Sequence, residues 1–122
     1  MSSQFPKAVR LPDSAAYQRI FTAPELKSSD RYFTVLGRLI IGSTSARLGL
    51  VVAKKNIRRA HERNRIKRLV RESFRQRRDR LPPLDLIVLA RSAGQEAENQ
   101  QLFHSLHRHW RRLTQNHDQP AN

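Results

Sequence analysis

Residues 54–80 read KKNIRRAHERNRIKRLVRESFRQRRDR, and the pattern of this stretch decides both a fold element and a class of partner. Thirteen Lys and Arg residues stand against Glu62, Glu72 and Asp79, a net of +10 within the chain's formal +14. At about 100° per residue, Ile66, Leu69, Val70, Ser73 and Phe74 fall on one stripe, which predicts a helix over residues 61–80 with a buried face. On the opposite arc lie Asn64, Lys67, Arg68, Arg71, Arg75 and Arg78, each meeting the next one turn along. Like charges at that spacing repel and weaken a helix, so their presence points to a polyanionic partner. The plainer reading is a solvated face, but such faces typically mix signs so that neighbours attract. Here the acids gather on the flank with Arg65 and Gln76, which predicts an unpaired cationic face over residues 67–78. Arginine outnumbers lysine ten to three in the stretch, favouring planar, bidentate phosphate recognition.

Working outward, 122 residues suit one domain, and a pI near 11.7 from clustered basic residues is the electrostatic footprint of a nucleic-acid binder. Residues 1–11 read as a flexible N-terminal arm, 12–115 as the single folded domain, and 116–122 as a polar tail. With no cysteine, disulfides, thiol chemistry and thiolate metal sites are excluded. No basic start with an apolar core marks a signal segment, and no apolar run approaches the roughly 18 residues of a membrane span, so a soluble intracellular protein is expected.

Before the basic helix, Asp13 or Ser14 can cap a short helix through Phe21 that Pro24 ends. Tyr17 and Phe21, at i and i+4, project from one side of it, and core packing is the default reading of such a pair. Residues 32–41 and 47–53 have strand composition, and the Gly42 to Ser45 turn between them predicts an antiparallel hairpin. Alternation puts Phe33, Val35, Gly37 and Leu39 on one face, with Tyr32, Thr34, Leu36 and Arg38 on the other. In the second strand Leu48, Leu50 and Val52 oppose Arg47, Gly49, Val51 and Ala53. Pro82 and Pro83 stop the basic helix. Leu84–Ala90 is a nearly continuous apolar run, consistent with a strand covered on both faces. After a loop over Ser92–Gln95, a last helix over residues 96–113 aligns Leu102, Phe103, Leu106, Trp110 and Leu113.

Candidate chemistry is sparse. The ten acids are scattered, whereas a metal-dependent nuclease needs several carboxylates converging on a cation. His104 and His107 at i, i+3 lack further zinc ligands at useful spacing, so they read, with His109 and His117, as surface histidines. His61 beside Glu62 is a poor acid/base pair because adjacent helix positions point apart. No glycine-rich phosphate loop, GxSxG or HExxH motif occurs.

Two segments carry a resemblance. Residues 47–55, RLGLVVAKK, followed by residues 62–74, ERNRIKRLVRESF, are similar to the protein subunit of bacterial ribonuclease P, marked by an Arg-Asn-Arg block heading a basic helix. The likeness extends over about residues 9–113. It implies an α/β (α+β) two-layer sandwich in αβββαβα order, ribosomal-protein-S5-domain-2-like, with a left-handed βαβ crossover, an exception to the usual hand. The extra strand would fall near residues 26–29, where composition gives no signal. The resemblance further implies a partner, the catalytic RNA of ribonuclease P, and a substrate, precursor tRNA, whose 5′ leader the complex removes. Chemistry would belong to the RNA and its Mg²⁺, in the cytoplasm, with the protein monomeric on its own. By position, Arg63, Asn64, Arg65, Lys67, Arg68 and Arg71 match the family's RNA-binding block, and Lys54 and Lys55 its preceding basic pair. Arg58, Arg59 and Arg75 complete the expected RNA-binding set. Tyr17 and Phe21 match the aromatic pair of a leader-binding cleft, and Tyr32, Thr34 and Leu36 its floor, Leu36 standing where relatives carry an aromatic. Two other function classes remain from composition: a ribosomal-type rRNA-binding protein, and a stand-alone nuclease that the scattered acids disfavour.

Overall fold

The most apolar strand sits near the middle of the sheet, and the rest of the chain is arranged to cover it. The computed structural model describes residues 9–40, 42 and 45–118. In chain order the elements are α1 (Ser14–Thr22), β1 (Leu26–Ser29), β2 (Phe33–Leu39), β3 (Arg47–Val51), α2 (Ala60–Arg77), β4 (Leu84–Ala90) and α3 (Asn99–Asp118). Short 3₁₀ turns at Arg78–Arg80 and Ser92–Gln95 follow α2 and β4. This is the αβββαβα order, with the extra strand at Leu26–Ser29.

The sheet order is β1-β2-β4-β3. The expected hairpin is therefore corrected: β2 and β3 are not neighbours, because β4 lies between them, antiparallel to β2 and parallel to β3. The physical reason lies in β4 itself, six of whose seven residues are buried. A hairpin of β2 with β3 would leave this strand at an edge, whereas between them both faces and both rows of backbone groups are satisfied. Helix α2 makes the crossover that a parallel pair requires.

Register sorts the side chains. Phe33, Val35, Leu48, Leu86, Val88 and Ala90 face the main core, built with Ile66, Val70 and Phe74 of α2 and Leu102, Leu106, Trp110 and Leu113 of α3. The apolar stripe expected on α2 is the buried one. Ser73 belongs on it because its Oγ accepts the Trp110 indole N–H at 2.8 Å, while Phe74 meets Trp110 edge to face. Across the sheet, Leu11, Ala16 and Ile20 pack on Leu36 and Ile87 in a smaller cluster. Asp13 caps α1, its Oδ1 accepting the Ala16 N–H at 3.0 Å.

Both domain limits move. Val9 and Leu11 are buried, and the Leu11 N–H donates to the Leu48 carbonyl at 3.1 Å, so residues 9–11 belong to the fold and not to a flexible arm. Residues 1–8 of that arm lie outside the described residues. Helix α3 runs on to Asp118, into the stretch expected to be tail, whose residues 119–122 lie outside the described residues.

His109 is a second correction: it is fully buried and not at the surface. Its Nδ1 lies 2.6 Å from Ser28 Oγ and its Nε2 3.2 Å from Asp30 Oδ2, tying α3 to β1. Burial pulls its pKa below the ordinary histidine value, against the opposing pull of Asp30. Asp30 is shifted well below the usual carboxylate range. Burial works to raise it but is outweighed by hydrogen bonds from the Ser105 hydroxyl and from the Phe33 and Tyr32 amides. Arg108, Arg112 and Arg91 are other charged groups at this cluster, reaching the Asp30 carboxylate, Ser28 Oγ and the Asp30 carbonyl respectively.

A pH dependence follows. The unfolded chain takes up a proton at His109 that the fold excludes, so this contribution is complete above a pH of about 6.5 and declines below it. Asp30 stays ionised through that window. Denaturant midpoints are expected to fall between about pH 7.5 and 5.5 in the wild type and to fall less in His109→Gln. An identical pH response in the two proteins would refute this assignment.

Candidate nucleic-acid interface

Burial of the Ile66 to Phe74 stripe fixes how α2 is turned, and so which of its cations reach solvent. Arg65 lies on the flank beside α3. Its guanidinium donates to both carboxylate oxygens of Glu62 at 3.3 and 3.0 Å, to Asn99 Oδ1 at 2.8 Å and to the Gly94 carbonyl at 3.3 Å. The same bond holds the Glu62 pKa below its ordinary value. Arg63 turns back and donates to the Ile57 and Arg58 carbonyls at 3.0 and 2.8 Å, closing the loop before the helix. Arg75 pairs with Glu72, and Arg78 donates to the Ala46 carbonyl at 3.3 Å. The unpaired cationic face expected over residues 67–78 is thus narrower. Lys67, Arg68 and Arg71, with Asn64, lie on it with no hydrogen bond or ion pair among the described residues.

The face extends along the loop that joins β3 to α2. Lys54, Lys55, Arg58 and Arg59 are exposed there, and none of their side chains has a hydrogen bond or ion pair among the described residues, although Arg59 lies near enough to help hold the Glu62 pKa down. Of the eleven expected RNA-binding residues, eight therefore present free polar heads, while Arg63, Arg65 and Arg75 are held within the chain. Repulsion among the outward cations is the electrostatic arrangement that a polyanion relieves.

The side chains expected to line a leader cleft do not all share one face of the sheet. Tyr17 is half-buried, and its hydroxyl accepts the Leu50 N–H at 3.3 Å. Its ring lies directly on Gly49, where an added Cβ would come within 2.7 Å of Tyr17 Cζ and 2.6 Å of Leu11 Cδ1. Phe21, by contrast, is 43% exposed, so the two rings have different roles. Thr34 is half-buried on the open sheet face, its hydroxyl 2.9 Å from Ser29 Oγ. Leu36 is only 8% exposed, covered by Ile20 of α1. Tyr32 does not join this floor. It precedes β2 and packs against the helix-side core, with the Arg31 guanidinium 5.4 Å from its ring centroid. The turn held by Asp30 overrides strand alternation at this position. Val51 and Leu89 share the open face with Thr34 instead, half-buried through the pairings Thr34↔Leu89 and Val51↔Leu89. Alternation within β4 was the available signal, but only the strand order puts these residues together.

Histidines and acids form no further centre. His104 and His107 are exposed, and the side chain of His117 lies outside those described. His61 Nε2 comes within 3.4 Å of Glu62 Oε1, closer than adjacent helix positions suggest, yet Glu62 is already committed to Arg65. Among the described residues no three or more of His, Asp and Glu are placed to hold a metal ion, and no helix is long and apolar enough to cross a membrane.

Fold and surface together define a basic α+β domain with one strongly cationic helix face and an open sheet face beside α1. The ribonuclease P family model matches residues 5–114, and the chain belongs to that family. It is 47% identical over 109 residues to the ribonuclease P protein component of Salmonella arizonae, covering 88% of this chain and 89% of that one. Among solved structures, the ribonuclease P protein of Staphylococcus aureus superposes with a TM-score of 0.78 at 32% identity, over 87% of this chain and 94% of the other. That of Thermotoga maritima gives 0.74 at 30% identity, over 84% and 96%. The chain is accordingly the protein component of an endoribonuclease that partners an RNA subunit in tRNA 5′ processing.

Gly49 sets the position of the cleft wall. Gly49→Ala is expected to cost about 1–3 kcal/mol of stability through overpacking and to lift Tyr17 from the sheet. Denaturation curves and weaker protection of the Leu50 amide in hydrogen exchange check both effects. An unchanged Leu50 amide would contradict the contact.

Proposed function

We propose that the chain grips the catalytic RNA of ribonuclease P through Lys54, Lys55, Arg58, Arg59, Asn64, Lys67, Arg68 and Arg71. It lays the 5′ leader of precursor tRNA along the sheet face beside Tyr17 and Phe21. The observation that carries this reading is the set of outward cations on α2 left without partners inside the chain. Neutralising RNA phosphates releases condensed counterions and relieves the repulsion stored along the helix. Arg63 and Arg65 act indirectly, holding the loop and first turn in the shape that aims the others.

In this reading the RNA and its Mg²⁺ cut the leader, giving the mature tRNA 5′ end. Metal sits mainly on the RNA, and the protein works as a monomer in the cytoplasm. The two acids of α2 suit that division of labour, since Glu62 and Glu72 each hold an arginine and are not free to take a cation. Phe21 supplies an exposed ring on which an unpaired leader base can stack. Tyr17, anchored to Leu50, serves as the fixed wall of the cleft. A ribosomal-type rRNA binder, the other reading of the composition, finds no support among the relatives.

Reconstitution with a bacterial ribonuclease P RNA tests the whole reading. The protein should increase precursor-tRNA cleavage at low Mg²⁺ and moderate salt, and no increase would sink it. Arg68→Ala with Arg71→Ala should weaken assembly and shallow the log–log salt dependence by about one for each phosphate that is no longer neutralised. Phe21→Ala should weaken binding of long-leader substrates roughly tenfold, within the 1–3 kcal/mol of a base–aromatic stack, and leave mature tRNA unaffected. Equal weakening for both RNAs would remove Phe21 from the leader path.

A further inference from the structure

Beside the first turn of α2 lies a polar cleft of about 580 Å³, within the roughly 300–1,000 Å³ typical of small-molecule sites. Its walls come from three separate segments: the loop after β3, the start of α2, and the 3₁₀ turn after β4. Cross-bonds keep these walls together. The Arg58 N–H donates to Gln95 Oε1 at 2.8 Å, Arg65 donates to the Gly94 and Gln95 carbonyls, and Asn56 Nδ2 donates to the Ala90 carbonyl at 3.4 Å. Lys55, Arg58 and Arg59 contribute free cationic side chains, and Glu96 contributes a carboxylate with no partner among the described residues.

We infer that this cleft receives an unpaired guanosine nucleotide of RNA, with Lys55, Arg58 and Arg59 on its phosphate and Glu96 on its base. The inference rests on the proposed RNA partnership and adds the identity of one base. Phosphate alone explains the three cations but not the carboxylate, which would repel it. Glu62, the other acid on the cleft, is occupied by Arg65, so Glu96 is the acceptor left for a ligand. Among the four RNA bases only guanine presents two adjacent donors, N1–H and N2–H₂, on its Watson–Crick edge, and a carboxylate accepts both at once. Adenine, cytosine and uracil offer an acceptor at one or both of the matching positions. That edge is available only when the nucleotide is unpaired, the usual target of sequence-specific RNA recognition. His61 supplies a flat ring at the same cleft for the base plane.

Titration of the full chain with 5′-GMP, the other three nucleoside monophosphates and inorganic phosphate, followed by amide NMR, tests this directly. GMP should shift the resonances of Arg58, Arg59 and Glu96 and bind on the order of tenfold tighter than AMP, CMP or UMP, the discrimination of one bidentate base contact. Glu96→Gln, an exposed replacement of nearly equal size, should abolish that preference while leaving phosphate binding in place. Equal binding of all four nucleotides, or an unchanged preference in Glu96→Gln, would overturn the inference. Because the titration uses protein alone, that failure is distinct from a failure to stimulate leader cleavage. In the holoenzyme with precursor tRNA, kethoxal, which modifies N1 and N2 of unpaired guanine, separates the two sources of the nucleotide. One guanosine should be protected by the wild type and exposed again with Glu96→Gln, in either the catalytic RNA or the substrate. Absence of any Glu96-dependent protection would also overturn it.

Discussion

Burial of β4 on both faces is the constraint from which the arrangement follows. An apolar strand of this kind reaches its lowest free energy only between two other strands and beneath two layers of side chains. Inserting it between β2 and β3 breaks the pairing of neighbours in sequence and makes α2 the crossover. The crossover then brings the basic loop after β3 beside the 3₁₀ turn after β4, and the polar cleft opens between them. The same insertion aligns Thr34, Leu89 and Val51 across the open face under the edge of α1.

Charge in this molecule does two kinds of work. Arg63, Arg65, Arg75 and Arg78 direct their donors inside the chain, to carbonyls or to Glu62 and Glu72. Their partners lie nearby in the chain or, for Arg65 and Arg78, also on segments distant in sequence, so these bonds shape the scaffold that carries the outward cations. Lys67, Arg68 and Arg71 have no such outlet, and their mutual repulsion is left for a ligand to neutralise. Within residues 63–65 the two arginines fasten the helix start, while Asn64 is exposed.

A second charged cluster depends on polar burial. Asp30 gathers two backbone amides, the Ser105 hydroxyl, Arg108 and His109 at the turn between β1 and β2. This concentration of donors lets a carboxylate stay ionised while partly buried. It anchors α3 to a four-residue edge strand that has little apolar surface of its own. It also draws Tyr32 toward the helix side, away from the strand face that its position in the alternation would assign.

Local pattern in the sequence by itself was enough for most of the elements and their inner faces, though not for β1 at Leu26–Ser29. The 3.6-residue stripe from Ile66 to Phe74, the alternation through β2 and β3, the Asp13 cap and the Pro82-Pro83 stop all act over a few residues, where local sterics and amphipathicity suffice. Its excess of arginine with few acids determined the class of partner as well. Tertiary structure alone decided which strands pair, since the stability of β4 at the centre comes from contacts distant in sequence. It likewise decided that His109 is buried, that Tyr32 packs on the helix side of the sheet, and that Arg63 and Arg65 turn inward. A polar side chain's role depends on which acceptor the fold brings within about 3 Å of it, and no local pattern carries that information.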